Sequence, residues 1–269
     1  MYTPANLGIA FSLTMLAGLT TAVGGAVAFV TKKNDLKALS LGLGFSAGVM
    51  IFISFVDIVP AAQEMLKIHF PNMFQWLVFG GFVAGLLISV LIDYFLPDHV
   101  DTKELLDPDA PEEDNEYKHY KLQRAGIMTA VAICVHNFPE GMATFLTTTQ
   151  NLTLGASVAL AIAIHNIPEG IAVALPIYHV TGKKRYAMLY AAMSGITEPI
   201  GALVGMLFMG LFLPQILVGF LMASVAGIMT YISFDTLLPL AKEYGNWHLS
   251  IVGIMSGIIF IWMSLILLG

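Results

Sequence analysis

His136-Asn137-Phe138-Pro139-Glu140-Gly141 lies inside a long apolar run, and His165-Asn166-Ile167-Pro168-Glu169-Gly170 repeats it twenty-nine residues later. Each copy sets an imidazole, a carboxamide and a carboxylate in a segment that otherwise reads as a membrane span. An ionisable group at that depth is costly enough to imply a function. On a helix, positions i and i+4 share a face, as do i and i+3. Glu140 therefore borders both His136 and Asn137, while those two diverge by roughly 100° around the axis. Glu169 stands in the same relation to His165 and Asn166. With the two helices face to face, the glutamates sit between two neighbouring cation positions. One position offers two imidazoles, the other two carboxamide oxygens. Pro139 and Pro168 each remove a backbone hydrogen bond, which loosens the carbonyls of Val135 and Ile164. Such irregular backbone is tolerated at membrane depth where it lines a watery cavity.

Around this pair the chain is 57% hydrophobic and only 11% charged over 269 residues, with a mean hydropathy of +0.81. Soluble domains carry about 25% charged residues, so the composition is that of an all-α integral membrane protein. Spanning helices need about 20 mostly apolar residues. Eight are expected, at about 4–30, 38–61, 73–95, 123–147, 152–179, 186–212, 214–240 and 248–268, in one transmembrane domain covering 1–269. No alternating strand pattern supports a barrel. The first run lacks a basic leader and reads as mature structure. The single Cys134 excludes an internal disulfide and a cysteine-rich metal site, and reads as a small core residue.

Basic residues set the orientation. Lys32, Lys33, Lys37, Lys103, Lys118, Lys121, Arg124, Lys183, Lys184, Arg185 and Lys242 fall on one side, and only Lys67 on the other. The positive-inside rule makes the larger set cytoplasmic, with both termini outside a cell (inner) membrane. The one substantial loop, about 98–122, is acidic from Asp107 to Asp114 and carries His99 and His119. It reads as a solvated linker, or as a weak metal-collecting segment.

A second repeat is hidden in the apolar sequence. Ala47 to Glu64 is AGVMIFISFVDIVPAAQE and Ala226 to Glu243 is AGIMTYISFDTLLPLAKE, identical at nine of eighteen positions. These stretches lie in spans two and seven, which cross in opposite directions. A fainter echo joins Gly18-Leu19-Thr20-Thr21, then Gly24, to Gly195-Ile196-Thr197-Glu198, then Gly201. Spans one to three thus read as an inverted copy of six to eight, with the His-Asn pair on four and five between them. That is a recurrent transporter plan with a midplane site.

Depth converges on one place. His136, His165, Glu198 and Met50 all fall near the middle of their spans, and Pro199 follows Glu198 as Pro139 and Pro168 precede their glutamates. No Lys or Arg is central enough to neutralise Glu140, Glu169 or Glu198, which leaves a metal or a proton. Met50 has the depth for a soft ligand. Asp57, near the outer end of span two, could draw cations in; Asp93 and Asp235, near inner ends, could mark a way out. His69, His179 and His248 are expected to be wetted at the interface.

Imidazole with carboxylate suits Zn(II), and also Fe(II), Co(II) and Mn(II). A carried ion must also leave, so replaceable ligands are preferable to a closed cage. An intramembrane metalloprotease would instead want His-Glu-x-x-His on one helix. Here each helix has one histidine, with asparagine beside it. A channel for a harder cation is the other alternative, distinguishable by flux that does not saturate.

HNFPEGMATF, HNIPEGIAVALP, AGVMIFISF and Ser194-Gly195-Ile196-Thr197-Glu198 together resemble the ZIP (Zrt-, Irt-like) metal transporters, over essentially all eight spans. The resemblance implies a three-plus-two-plus-three helix order and import of zinc, and of iron, manganese, cobalt or cadmium, through a binuclear centre. It implies one position built from His136, Glu140, His165 and Glu169, with Met50 adjacent. The other would use Asn137, Glu140, Asn166, Glu169 and Glu198. The ions are cargo: no catalytic residue, enzymatic activity or resident cofactor is expected. The expected partners are divalent metal ions and the lipid bilayer, not nucleic acid, with a homodimer left open.

Overall fold

The computed structural model describes residues 4–33, 35–95, 115–207 and 214–268. Among these there is no strand, and eight helical rods account for nearly everything. They are α1 (Pro4–Gly25, prolonged by a 3₁₀ turn over Ala26–Phe29), α2 (Leu36–His69), α3 (Phe74–Phe95) and α4 (Asn115–Gln150). After them come α5 (Leu152–Thr181), α6 (Lys184–Leu207) and α7 (Pro214–Ile232, continued by Ser233–Leu237 and Leu238–Tyr244). The last is α8 (Trp247–Leu268). The chain is an all-α membrane protein. Seven rods are long and apolar enough to cross a bilayer on length and composition; α4 is not among them. Its polar groups His136, Asn137 and Glu140 are instead sheathed by protein, which is how such groups persist at depth. Of the expected acidic loop 98–122, residues 98–114, with His99 and Asp107 to Asp114, lie outside the described residues, while 115–122, with His119, already belong to α4.

Short connections fix the register. Asp35 caps α2 by accepting the Ala38 N–H at 3.0 Å. Asn151 alone separates α4 from α5 and accepts the Leu154 N–H at 3.1 Å. Side-chain caps of this kind satisfy amide groups that a helix start leaves free. Because the α4–α5 turn is so tight, His136 and His165 both stand about 20 Å from it at 1.5 Å per residue. They are therefore level with each other. Gly182 closes α5 at φ 65°, where only glycine is unstrained.

The rods sort into two sets of four. Helices α1, α4, α5 and α6 pack most closely with one another, as do α2, α3, α7 and α8. Glycine makes this possible. A Cβ at Gly141 would run into the backbone of Glu198, and one at Gly48 into that of Ile254. Lipid offers no hydrophobic drive for helix association, so backbone-to-backbone van der Waals contact takes its place. Between the sets the joint is made mainly of side chains, such as Leu175 and Ile171 over Gly42. One polar tie crosses it, from the Ser46 hydroxyl to the Pro168 carbonyl at 2.6 Å. Another is the Arg124–Asp93 ion pair at 3.1 Å.

The long repeat is visible as geometry. Both copies widen into a π turn at matching places, Ser54–Ile58 in α2 and Ser233–Leu237 in α7. In each, the N–H after the turn reaches back five residues, Val59 to Ser54 and Leu238 to Ser233. In each, the serine hydroxyl donates to a methionine carbonyl at 2.7 Å, Met50 or Met229. Pro60 and Pro239 follow two residues behind. A proline cannot donate and crowds the carbonyl four residues earlier; the widened turn removes both conflicts. The four prolines Pro139, Pro168, Pro176 and Pro199 are instead absorbed within continuous helices.

Candidate metal centre

Helices α4, α5 and α6 deliver the predicted donors to one buried place. His136, Asn137, Glu140, His165, Asn166, Glu169 and Glu198 are all essentially inaccessible. His136 Nε2 lies 3.1 Å from Glu169 Oε1, and His165 Nε2 lies 3.5 Å from Glu140 Oε2. Each histidine thus reaches across to the glutamate of the other copy. His136, Glu140 and Glu169 each place a potential ligand atom within 4.8 Å of the others. Zinc binds nitrogen and oxygen at about 2.0–2.2 Å, so a small inward adjustment of these three encloses an ion.

The carboxamides are aimed by backbone. Asn137 Nδ2 donates to the Ser194 carbonyl at 3.1 Å, and Asn166 Nδ2 to the Ala17 carbonyl at 3.0 Å. Asn166 Nδ2 also donates to Glu198 Oε1. Turning the amide nitrogens toward carbonyls leaves both Oδ1 atoms free to accept. The consequence is a dense group of buried, unpartnered polar atoms. They include Asn137 Oδ1, Asn166 Oδ1, Glu140 Oε1, Glu169 Oε2, Glu198 Oε2 and the Nδ1 atoms of both histidines. An unsatisfied buried acceptor costs about 1–3 kcal/mol, and a charged one more. Arg124, the basic residue nearest along α4, is about 18 Å down the helix from His136. A bound cation, or added protons, would satisfy these acceptors.

A local two-fold relation organises the centre. It exchanges α4 with α5 and α1 with α6. Gly18 and Gly195, equivalent in the short echo, press on each other's carbonyls. Gly141 meets Glu198 as Gly170 meets Thr21, and Gly201 meets the Phe138 carbonyl as Gly24 meets that of Ile167. The two asparagine bonds and the two His–Glu approaches obey the same exchange. Four parts of this arrangement were not expected: the Ala17 and Ser194 carbonyls, Ser46 and Thr21. The glycine echo signalled Thr21, and the Ser194 to Glu198 motif contained Ser194; nothing pointed to Ala17 or Ser46.

The weaker expectations divide. Met50 is fully buried on α2, one turn beyond Ser46, whose hydroxyl reaches the motif at Pro168. Asp57 sits half-buried in the π turn of α2. Asp93 is engaged by Arg124 through both its carboxylate and its carbonyl. His69 and His248 are exposed as expected. His179 is not. It is buried, with Nδ1 2.8 Å from the Leu175 carbonyl and Nε2 3.2 Å from that of Asp35. It tethers the α1–α2 connection instead of meeting water.

A family model described as ZIP zinc transporter matches residues 97–266. A zinc transporter ZupT of Campylobacter jejuni is 46% identical, the match covering 100% of this chain and 99% of the relative. Proteins of the same name from Nitratidesulfovibrio vulgaris and Akkermansia muciniphila are 45% and 44% identical. They cover 99% and 96% of this chain, and 99% and 97% of their own.

Proposed function

The chain belongs to the ZIP family, and from that premise we propose that it carries zinc into the cytoplasm through a binuclear site at mid-membrane. The observation that supports this most directly is the buried His136–Glu140–Glu169 cluster, with ligand atoms within 4.8 Å and no arginine or lysine beside it. One ion would be held by His136, Glu140, His165 and Glu169, with Met50 as a replaceable thioether. The second would be held by Asn137, Glu140, Asn166, Glu169 and Glu198. The shared glutamates bridge. Mixed nitrogen and oxygen donors also accept Fe(II), Mn(II), Co(II) and Cd(II), and these are proposed as further cargo.

Eleven of the chain's twelve basic residues lie on one side, which supports a cell-membrane orientation with both termini outside. Hydrated metal approaches from outside, with Asp57 on its path. It exchanges water for side chains and leaves when the cytosolic side opens. The set α1, α4, α5 and α6 moves as a block against α2, α3, α7 and α8. The glycine-welded interfaces within each set and the side-chain joint between them support that division.

The test is zinc flux into reconstituted vesicles. Glu140→Ala and Glu169→Ala are expected to lose both uptake and binding, and parental uptake should saturate with zinc. Parental flux in either variant refutes the site, and flux that rises without limit favours a channel.

A further inference from the structure

At Thr21 the local two-fold relation of the centre sets a hydroxyl where its mate has a carboxylate. The relation pairs Thr21 on α1 with Glu198 on α6. The backbone of Glu198 lies against Gly141, and that of Thr21 against Gly170, the matching glycine of the other motif. Beside Glu198, Asn166 donates both to Glu198 Oε1 and to the Ala17 carbonyl, while Asn166 Oδ1 and Glu198 Oε2 stay unpartnered. Beside Thr21 no side-chain link of that kind forms. Asn137 donates to the Ser194 carbonyl, but its Oδ1 has no partner, and neither has the Thr21 hydroxyl.

That hydroxyl is unusual. Buried threonines in this protein ordinarily donate to a carbonyl three or four residues back, as Thr14, Thr144, Thr148 and Thr149 do; Thr129, on α4 away from the carboxamides, and Thr21 do not. Thr21 has lost that option. The Ala17 carbonyl already accepts from Asn166 and, at 2.6 Å, from Thr20. The Gly18 carbonyl is pressed against Gly195. Thr21 is fully buried, yet its oxygen has nothing to bond. A threonine oxygen also stops two bonds short of where a glutamate oxygen would reach.

We infer that Thr21 is an unassigned member of the metal site: its hydroxyl faces the Asn137 side and is the neutral counterpart of the Glu198 carboxylate. The two carboxamides of the second position are then flanked unequally, Asn166 by a charged oxygen and Asn137 by a hydroxyl. The ion is held more weakly on its Asn137 side. The inference rests on the metal-site reading above and deepens it.

The experiment exchanges the two residues. Zinc stoichiometry and Kd are measured on detergent-purified protein by equilibrium dialysis with radioactive zinc, alongside melting temperature. Glu198→Thr should lose tightly bound zinc. Adding Thr21→Glu to it should restore that zinc, because the carboxylate has only changed sides. Thr21→Val removes the hydroxyl at nearly constant shape. It should raise the melting temperature, since an unsatisfied group is gone, and weaken zinc binding by about tenfold, as the loss of a group beside a metal does. Two results overturn the inference. One is a folded double variant that binds no more zinc than Glu198→Thr alone. The other is Thr21→Val binding zinc as the parent does, which decides the matter even when the double variant fails to fold. If Glu140→Ala and Glu169→Ala lose zinc while Thr21→Val does not, only this inference falls. If those two keep it, the site reading falls as well.

Discussion

In α1, α4, α5 and α6 the closest backbone approaches are to Glu198, Phe138, Ile167 and Thr21; in α2, α3, α7 and α8 they are to Ile254, Phe45, Ser224 and Phe82. The packing device is the same, a glycine laid against a neighbour's carbonyl. What it encloses differs. Among the described residues, every buried histidine, asparagine and glutamate belongs to the first set. The second buries only hydroxyls, among them Ser54, Ser89 and Ser233, each donating to a carbonyl four residues back. Close packing is thus the common means of making a rigid block in lipid. Chemistry is installed in one block and withheld from the other.

Paired substitutions test that separation. The largest effect is expected from removing charge in the first set. Glu169→Ala should abolish measurable zinc uptake in vesicles, while Ser233→Ala in the second should leave it within a few-fold of the parent. A serine result as severe as the glutamate one would break the contrast. Next come the glycines. Gly141→Ala and Gly48→Ala each drive a methyl group into a backbone and should each destabilise by about 1–3 kcal/mol, read from thermal melts. Only Gly141→Ala should also weaken zinc binding, because the backbone it displaces is that of Glu198. Acid should act on the first set alone. Histidine and carboxylate must shed protons to bind metal, so zinc affinity should fall as pH is lowered from neutrality, in titrations where melting of the apo protein changes less. The smallest effect belongs to the joint between the sets. Arg124→Gln removes a half-exposed ion pair with Asp93 and should cost less than about 1 kcal/mol.

Much of the centre is legible in the chain because its chemistry is local. His136 and Glu140 share a helix face by spacing alone, and the copy at His165 and Glu169 supplies the partner. The apolar runs reveal the rods for the same reason. What escapes the sequence is whatever depends on a neighbour from elsewhere. His179 reads as a water-facing histidine at a helix end until the Asp35 carbonyl arrives from the α1–α2 connection. The π turns leave only Pro60 and Pro239 as a trace, and a proline by itself does not say how a helix will accommodate it. Thr21 stands opposite Glu198 in the echo, but a hydroxyl in a span ordinarily satisfies itself on its own helix. Its isolation comes from Asn166 and Gly195, which lie far along the chain. Chain order suggests three, two and three helices, whereas space groups α1 with α4, α5 and α6. The inclusion of α1 rests on glycine contacts between segments more than a hundred residues apart.

Confining Glu140, Glu169 and Glu198 to one set also has an electrical consequence. A block that travels carries its own fixed charge, and its bound ions offset that charge only on the loaded journey. Each elementary charge moved through 100 mV is worth about 2.3 kcal/mol. In the proposed cycle, with the cell interior negative, the voltage that draws the filled block inward would drive the emptied one back outward whenever its glutamates are ionised. Resetting, the half of that cycle with no cargo to drive it, would then be coupled to the resting potential.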